Sequence, residues 1–247
     1  MKVITALWER QIKRYYRSKF RVIGSIGQPL LFLVALGFGL GPVFSKAGEG
    51  NYMQFLAPGV MSMGILFTGI FLGAELIWDK QFGILKETLV APVSRFEIMI
   101  GRTLGGATIA VMQAIIIFFL ALIIGFKPSL LMIPLALVFA ILIALLFTAL
   151  GTIFASIVDD MQGFQLVMNF VTMPIFFLSG ALFPIQGLPP VMITIMKVNP
   201  LAYGVDGLRG TLAGGSYFGL VTDFVVLVVI TILLLILGSY LFSKIEV

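Results

Sequence analysis

The chain has 247 residues, of which 60% are hydrophobic and only 11% charged, with a mean hydropathy of +1.13, whereas soluble domains carry about a quarter charged residues. This predicts an all-α, polytopic membrane protein, and the complete absence of Cys and His excludes disulfides, thiol or imidazole catalysis, haem ligation and imidazole-held metals. The net charge of +5 collects beside the hydrophobic runs, where basic residues orient a chain among anionic lipids, and gives no support to a nucleic-acid partner.

Residues 2–21 predict an interfacial amphipathic helix rather than a cleavable signal. At about 100° per residue, Ile4, Leu7, Trp8, Ile12, Tyr15 and Tyr16 gather on one side, with Arg10, Lys13, Arg14, Arg17 and Arg21 on another. Trp8, Arg10, Arg14 and Arg17 are expected to hold this helix in the headgroup plane, against membrane lipids. Six spans follow, at 22–44, 55–78, 103–126, 130–158, 164–183 and 220–242, each near the roughly 20 residues that cross the hydrocarbon. Lys and Arg divide twelve against four between the two sides, which puts both termini in the cytoplasm. The whole of 1–247 reads as one transmembrane domain.

Residues 79–101 are the longest polar interruption on the basic side. Phe82, Leu85 and Leu89 recur at helical spacing, Lys86 lies off that stripe, and Pro92 ends the turn. This predicts a short cytoplasmic helix whose apolar residues, with Val90, pack on a soluble partner, because a helix so short is marginal alone. Ser94 and Glu97 match a capping box, starting a helix at Arg95 that runs into the third span, from which Arg102 is expected to snorkel towards water. Asp160 is placed to cap the fifth span.

Residues 184–219 contain too short an apolar run to span. Pro189–Pro190 open a helix and Asn199–Pro200 close it, which predicts an extracellular re-entrant helical hairpin. A second short helix from Leu201 places Asp206 and Arg209 at i, i+3, the spacing of an ion pair.

No GxxxxGK[ST] occurs, nor even Gly-Lys, so the chain has no P-loop. No catalytic or cofactor-binding motif is found in the sequence. Glu75 is the one ionisable residue near a membrane core, a poor basis for ion coupling, so the energy source is expected in another subunit. In the fifth span Gln165, Asn169 and Thr172 fall at i, i+4, i+7 beside Met173 and Phe176, a mixture suited to bulky amphipathic molecules, with Gly64 and Phe67 of the second span as the other wall. A membrane-embedded enzyme of lipid or isoprenoid metabolism would need His, Cys or an interfacial carboxylate cluster, and an ion-coupled secondary transporter would need paired midplane charges and repeat symmetry.

The order of these elements, with DKQFGILKETLVAPVS (Asp79 to Ser94), SGALFP (Ser179 to Pro184) and NPLAYGVDGLR (Asn199 to Arg209), resembles the membrane subunit of type 2 ABC exporters of the drug, lipid and polysaccharide group. The resemblance covers essentially the whole chain. It implies a coupling helix within Asp79–Pro92 that fits a cleft on a separate ABC ATP-binding subunit, an N-terminal connecting helix beside it, and an extracellular gate that includes Pro184, Asn199, Pro200, Asp206 and Arg209. It also implies a second permease copy, identical or not, and a place in the plasma or inner membrane. The chain departs from the family's frequent Gly-Thr-Leu-Glu, reading Gly83-Ile84-Leu85-Lys86.

Overall fold

The computed structural model describes residues 2–46, 51–85 and 94–244, and among them the regular structure is helical. In chain order the helices are α1 (Lys2–Arg17), α2 (Lys19–Lys46), α3 (Tyr52–Gly73), α4 (Glu75–Gln81), α5 (Arg95–Ile124), α6 (Ile133–Ile157), α7 (Met161–Phe177), α8 (Pro190–Val198), α9 (Pro200–Leu212) and α10 (Leu220–Ser243). Among the described residues, five stretches are long and apolar enough to cross a membrane: Lys19–Phe44, Tyr52–Gln81, Arg95–Ile124, Leu130–Ile157 and Leu220–Ser243.

The local signals act as expected at the caps. Ser94 Oγ accepts from Glu97 N at 3.1 Å and opens α5, and Asp160 Oδ1 accepts from Gly163 N at 2.6 Å and opens α7. Each satisfies an amide that has no partner within its helix. The second span differs from the unbroken helix expected at 55–78: it passes through the turn residue Ala74, so α4 is a separate final segment. The fifth differs more. α7 has 17 residues and, at ~1.5 Å per residue, reaches only ~26 Å. It stops because Gly180 takes a left-handed turn (φ 75°), and Asn199 Nδ2 captures the freed carbonyls of Ile175 (2.6 Å) and Leu178 (2.7 Å).

α3 is the axis of the bundle, with Leu56, Ala57, Val60, Met63, Ile65 and Leu66 wholly buried. Its closest neighbour is α6, because a Cβ on Gly73 would overlap the Gly151 backbone and one on Gly151 would meet Ile70. Small residues let two backbones approach and gain packing where lipid supplies no hydrophobic drive. α5 and α2 pack on other sides of α3, and α9 and α10 close over α6. The outer surfaces of α2 and α10 expose Phe20, Leu31, Phe38, Val221 and Ile236, a surface suited to lipid.

α1 lies across one end of this bundle. Chain direction brings α4, the start of α5 and the α6–α7 connection to that same end, and the end of α10 as well, where Arg95 Nη1 bonds Ser243 O at 3.0 Å. Helices α8 and α9 lie at the far end, where Arg209 of α9 donates to Phe55 O of α3 at 3.3 Å and Tyr52 OH ties the loop before α8 by donating to Leu182 O at 3.0 Å.

Candidate functional site

At the α1 end, α1 does not rest on the surface as a lipid-facing helix would. Its residues Leu7, Gln11 and Tyr15 are buried against the chain itself. Gly101 and Gly105 of α5 allow this: a Cβ at Gly101 would stand 3.0 Å from Leu7 Cβ, and one at Gly105 would stand 2.7 Å from Gln11 Cβ. Trp8 Nε1 donates to Thr108 Oγ1 of α5 at 3.0 Å. Of the expected apolar stripe, Leu7 and Tyr15 are covered by protein, whereas Tyr16 stays 53% exposed.

The polar face of α1 holds a buried ion cluster together. Asp79, 1% exposed, accepts from Arg10 (3.1 Å), Arg14 (3.2 Å) and Arg102. Glu75 pairs with Arg21 and lies 3.7 Å from Arg14. A buried carboxylate is tolerated only when paired and hydrogen-bonded, and here two carboxylates hold four guanidinium groups from three helices, α1, α2 and α5. Arg102 corrects an expectation: it is 4% exposed and points inward to Asp79 rather than snorkelling to water. Arg17 stays exposed beside Lys13 on the outer face of α1. There Lys13 Nζ bonds Glu9 at 2.8 Å and holds its carboxyl below the usual range.

Along the coupling stretch, Lys80 Nζ donates to Ser156 O at 2.9 Å and reaches Asp159 at 3.3 Å, tying α4 to the end of α6. Phe82 is 68% exposed and stacks on Trp78 with ring centroids 5.7 Å apart. Gly83 turns the chain with φ 73°, and Ile84 and Leu85 are again helical. Leu85 is wholly buried in the main core, so that member of the expected docking stripe is used internally. Lys86, Leu89, Val90 and Pro92 lie outside the described residues.

A cavity of about 420 Å³ opens between α2, α3 and α7 at the α1 half of the bundle. Gly64 and Phe67 line it with Met63, Thr68, Trp78 and Gln113, whereas Gln165, Asn169, Thr172, Met173 and Phe176, expected on the facing wall, do not. Thr68 Oγ1 donates to Gln113 Oε1, and Gln113 Nε2 donates to Ser25 O. The α7 residues divide. Thr172 and Phe176 face inward with Phe164 and Met168, and the Phe176 ring meets Phe32 and Phe67 at 6.0 and 6.1 Å. Gln165, Asn169 and Met173 lie on the exposed face of the same helix. Sequence reasoning missed Arg21, Ser25 and Gln28, which line the cavity from α2; their i, i+4, i+7 spacing was the available signal.

At the far end, Pro184, Asp206 and Arg209 line a second cavity of about 350 Å³ with Phe55 and Tyr217. The expected Asp206–Arg209 ion pair is not formed. Asp206 accepts from Ser216 Oγ (3.0 Å), Tyr217 N (2.8 Å) and Phe218 N (2.7 Å). Arg209 donates to Gly180 O at 2.9 Å, and its guanidinium sits 3.8 Å from the Phe55 ring centroid. Both charges are buried, and unpaired loop amides and carbonyls stand closer to each than they do to one another. Asn199 caps α9 by accepting from Leu201 N at 3.0 Å, and Pro200 is its first residue.

The family described as ABC-2 type transporter matches residues 2–213, which takes in α1, the ion cluster, the cavity lined by Arg21 and Gly64, and α9. Among relatives, the chain is 28% identical over 232 residues to the inner membrane transport permease YadH of Escherichia coli strain K12, covering 92% of this chain and 89% of that protein. It is 28% identical over 213 residues to the probable doxorubicin resistance ABC transporter permease protein DrrC of Mycobacterium tuberculosis, covering 83% and 75%. It is 26% identical over 212 residues to Nodulation protein J of Rhizobium leguminosarum bv. trifolii, covering 85% and 80%. With the family match running over most of its length and five apolar helices fit to cross a bilayer, this chain belongs to the ABC-2 type transporter family and is a multi-pass transport permease of an ABC system, whose ATP-binding component is a separate partner.

Proposed function

We propose that the protein is the permease of an ATP-driven exporter that moves an amphipathic substrate from the cytoplasm or inner leaflet outward across the cell membrane. Residues 1–247 act as one transmembrane domain. Its α1 end faces the cytoplasm, in keeping with the excess of Lys and Arg there. The turn after Phe177 completes a sixth crossing begun by α7, and α8–α9 form the re-entrant hairpin at the outer face. Two copies, like or unlike, pair so that the exposed Gln165, Asn169 and Met173 face the path between them, continuous with the wall formed by Gly64, Phe67, Thr172 and Phe176.

The observation that carries this reading is the clamp at Asp79. It binds α1 and α5 to α4 through Arg10, Arg14 and Arg102, so a push on the loop after α4 moves α1, α3 and α5 as one lever. ATP-driven closure of the partner supplies the push. Pro184, Asn199, Pro200, Asp206 and Arg209 hold the outer gate that responds. The relatives' names include a drug-resistance permease, which suits an amphipathic cargo.

The test is co-purification in mild detergent with the cognate ATP-binding subunit. Phe82→Asp, at an exposed position, should abolish co-purification while leaving insertion and melting temperature unchanged. Undiminished co-purification of that variant would sink the docking assignment.

A further inference from the structure

We propose that the 420 Å³ cavity takes an anionic amphiphile, with its acidic headgroup against Arg21 and its apolar body along Met63, Gly64 and Phe67. The inference rests on the export reading and names the substrate class of that path.

The cavity is graded along its length. At the α1 end stand Arg21 and Glu75; Ser25, Gln28 and Gln113 come next; Pro29, Met63, Gly64 and Phe67 form the remainder. Such a lining holds a molecule with one charged end and one oily end, and the volume lies within the roughly 300–1,000 Å³ of small-molecule sites. The sign of the charged end follows from exposure. In the Arg21–Glu75 pair the arginine side chain is 41% exposed and the carboxylate 5%, so the charge a ligand meets is the guanidinium.

Glu75 does not depend on Arg21 alone, because Arg14 Nη1 lies 3.7 Å from its other oxygen. An anion that takes Arg21 leaves Glu75 paired with Arg14. A cation would have to displace Arg21 and then face a cluster in which Arg10, Arg14, Arg21 and Arg102 outnumber Glu75 and Asp79. A guanidinium also offers the planar fork that matches phosphate or carboxylate oxygens two at a time. Room for the headgroup exists beside it: Gly24 lines the cavity, and a Cβ built there meets nothing within 4 Å.

The chain itself carries the reporter. Its two tryptophans are Trp8 and Trp78, and Trp78 lines the cavity. The full-length Trp8→Phe protein is mixed in detergent with phosphatidylglycerol or phosphatidylcholine brominated on the same acyl chains. Phosphatidylglycerol should quench Trp78 half-maximally at a concentration about tenfold lower, the worth of one charge-assisted contact. Arg21→Gln should erase that preference, and Gly24→Leu, which projects into free space, should weaken quenching by both lipids without lowering the melting temperature. Millimolar inorganic phosphate should not relieve quenching. Equal quenching by the two lipids, a preference that survives Arg21→Gln, or relief by phosphate alone, which would assign the site to a free anion, would each overturn the proposal. The measurement needs no ATP-binding subunit, so its failure stands apart from loss of co-purification, which reports on the export reading.

Discussion

Asp79 shows how far a single side chain can organise a membrane protein. It is buried with three guanidinium groups upon it, and among the described residues Asp79 is the carboxylate that Arg102 contacts. Removing one member of a buried pair strands the rest, at a cost of about 3–5 kcal/mol. Asp79→Ala should therefore lower the melting temperature in detergent by roughly 10 °C, with loss of the co-purified ATP-binding subunit as α1 loosens. At this scale the sequence was legible where the partner is local in the chain. Ser94 and Asp160 cap the helices their positions announced. Arg102 and Arg209 were misjudged, because their partners lie 23 and 29 residues away, and no local spacing identifies them.

Among elements, the α1–α5 contact is the most exposed to test. A side chain at Gly105 has no room against Gln11, and overpacking of this kind costs about 1–3 kcal/mol. Gly105→Val should lift α1, break the Trp8–Thr108 hydrogen bond and red-shift Trp8 emission when measured in a Trp78→Phe background. Unshifted emission would mean α1 is held by something other than this contact. On α7, Asn169→Leu changes the exposed face that the paired copies are proposed to share. It should alter the range or rate of substrates transported at unchanged melting temperature; normal transport of every substrate would remove Asn169 from the path. The amphipathicity of α1 and the two short helices after Pro189 were readable from periodicity and proline placement. The split of α7 was not, since Gln165 and Thr172 share one face by spacing, and only packing along the length of the helix decides that the first is exposed and the second covered.

For the whole molecule, the chain's lack of Cys permits direct topology mapping. Gly215→Cys at the far end should react with an impermeant maleimide from outside intact cells. Asp159→Cys, whose native side chain is 91% exposed at the α1 end, should react only after permeabilisation. The reverse pattern would invert the orientation. The purified chain alone should hydrolyse no ATP, because no Gly-Lys dipeptide is present to build a P-loop. By itself the sequence determined the membrane class, the places of the five long helices and the caps at Ser94 and Asp160. Each of these follows from composition or from neighbours within a few residues. The tertiary structure alone decided that α1 grips protein, that Leu85 is internal, that Glu75 and Asp79 sit in one arginine cluster and that a graded cavity opens beside it. Those features depend on helices distant in sequence meeting at glycine contacts, which hydrophobic periodicity does not encode.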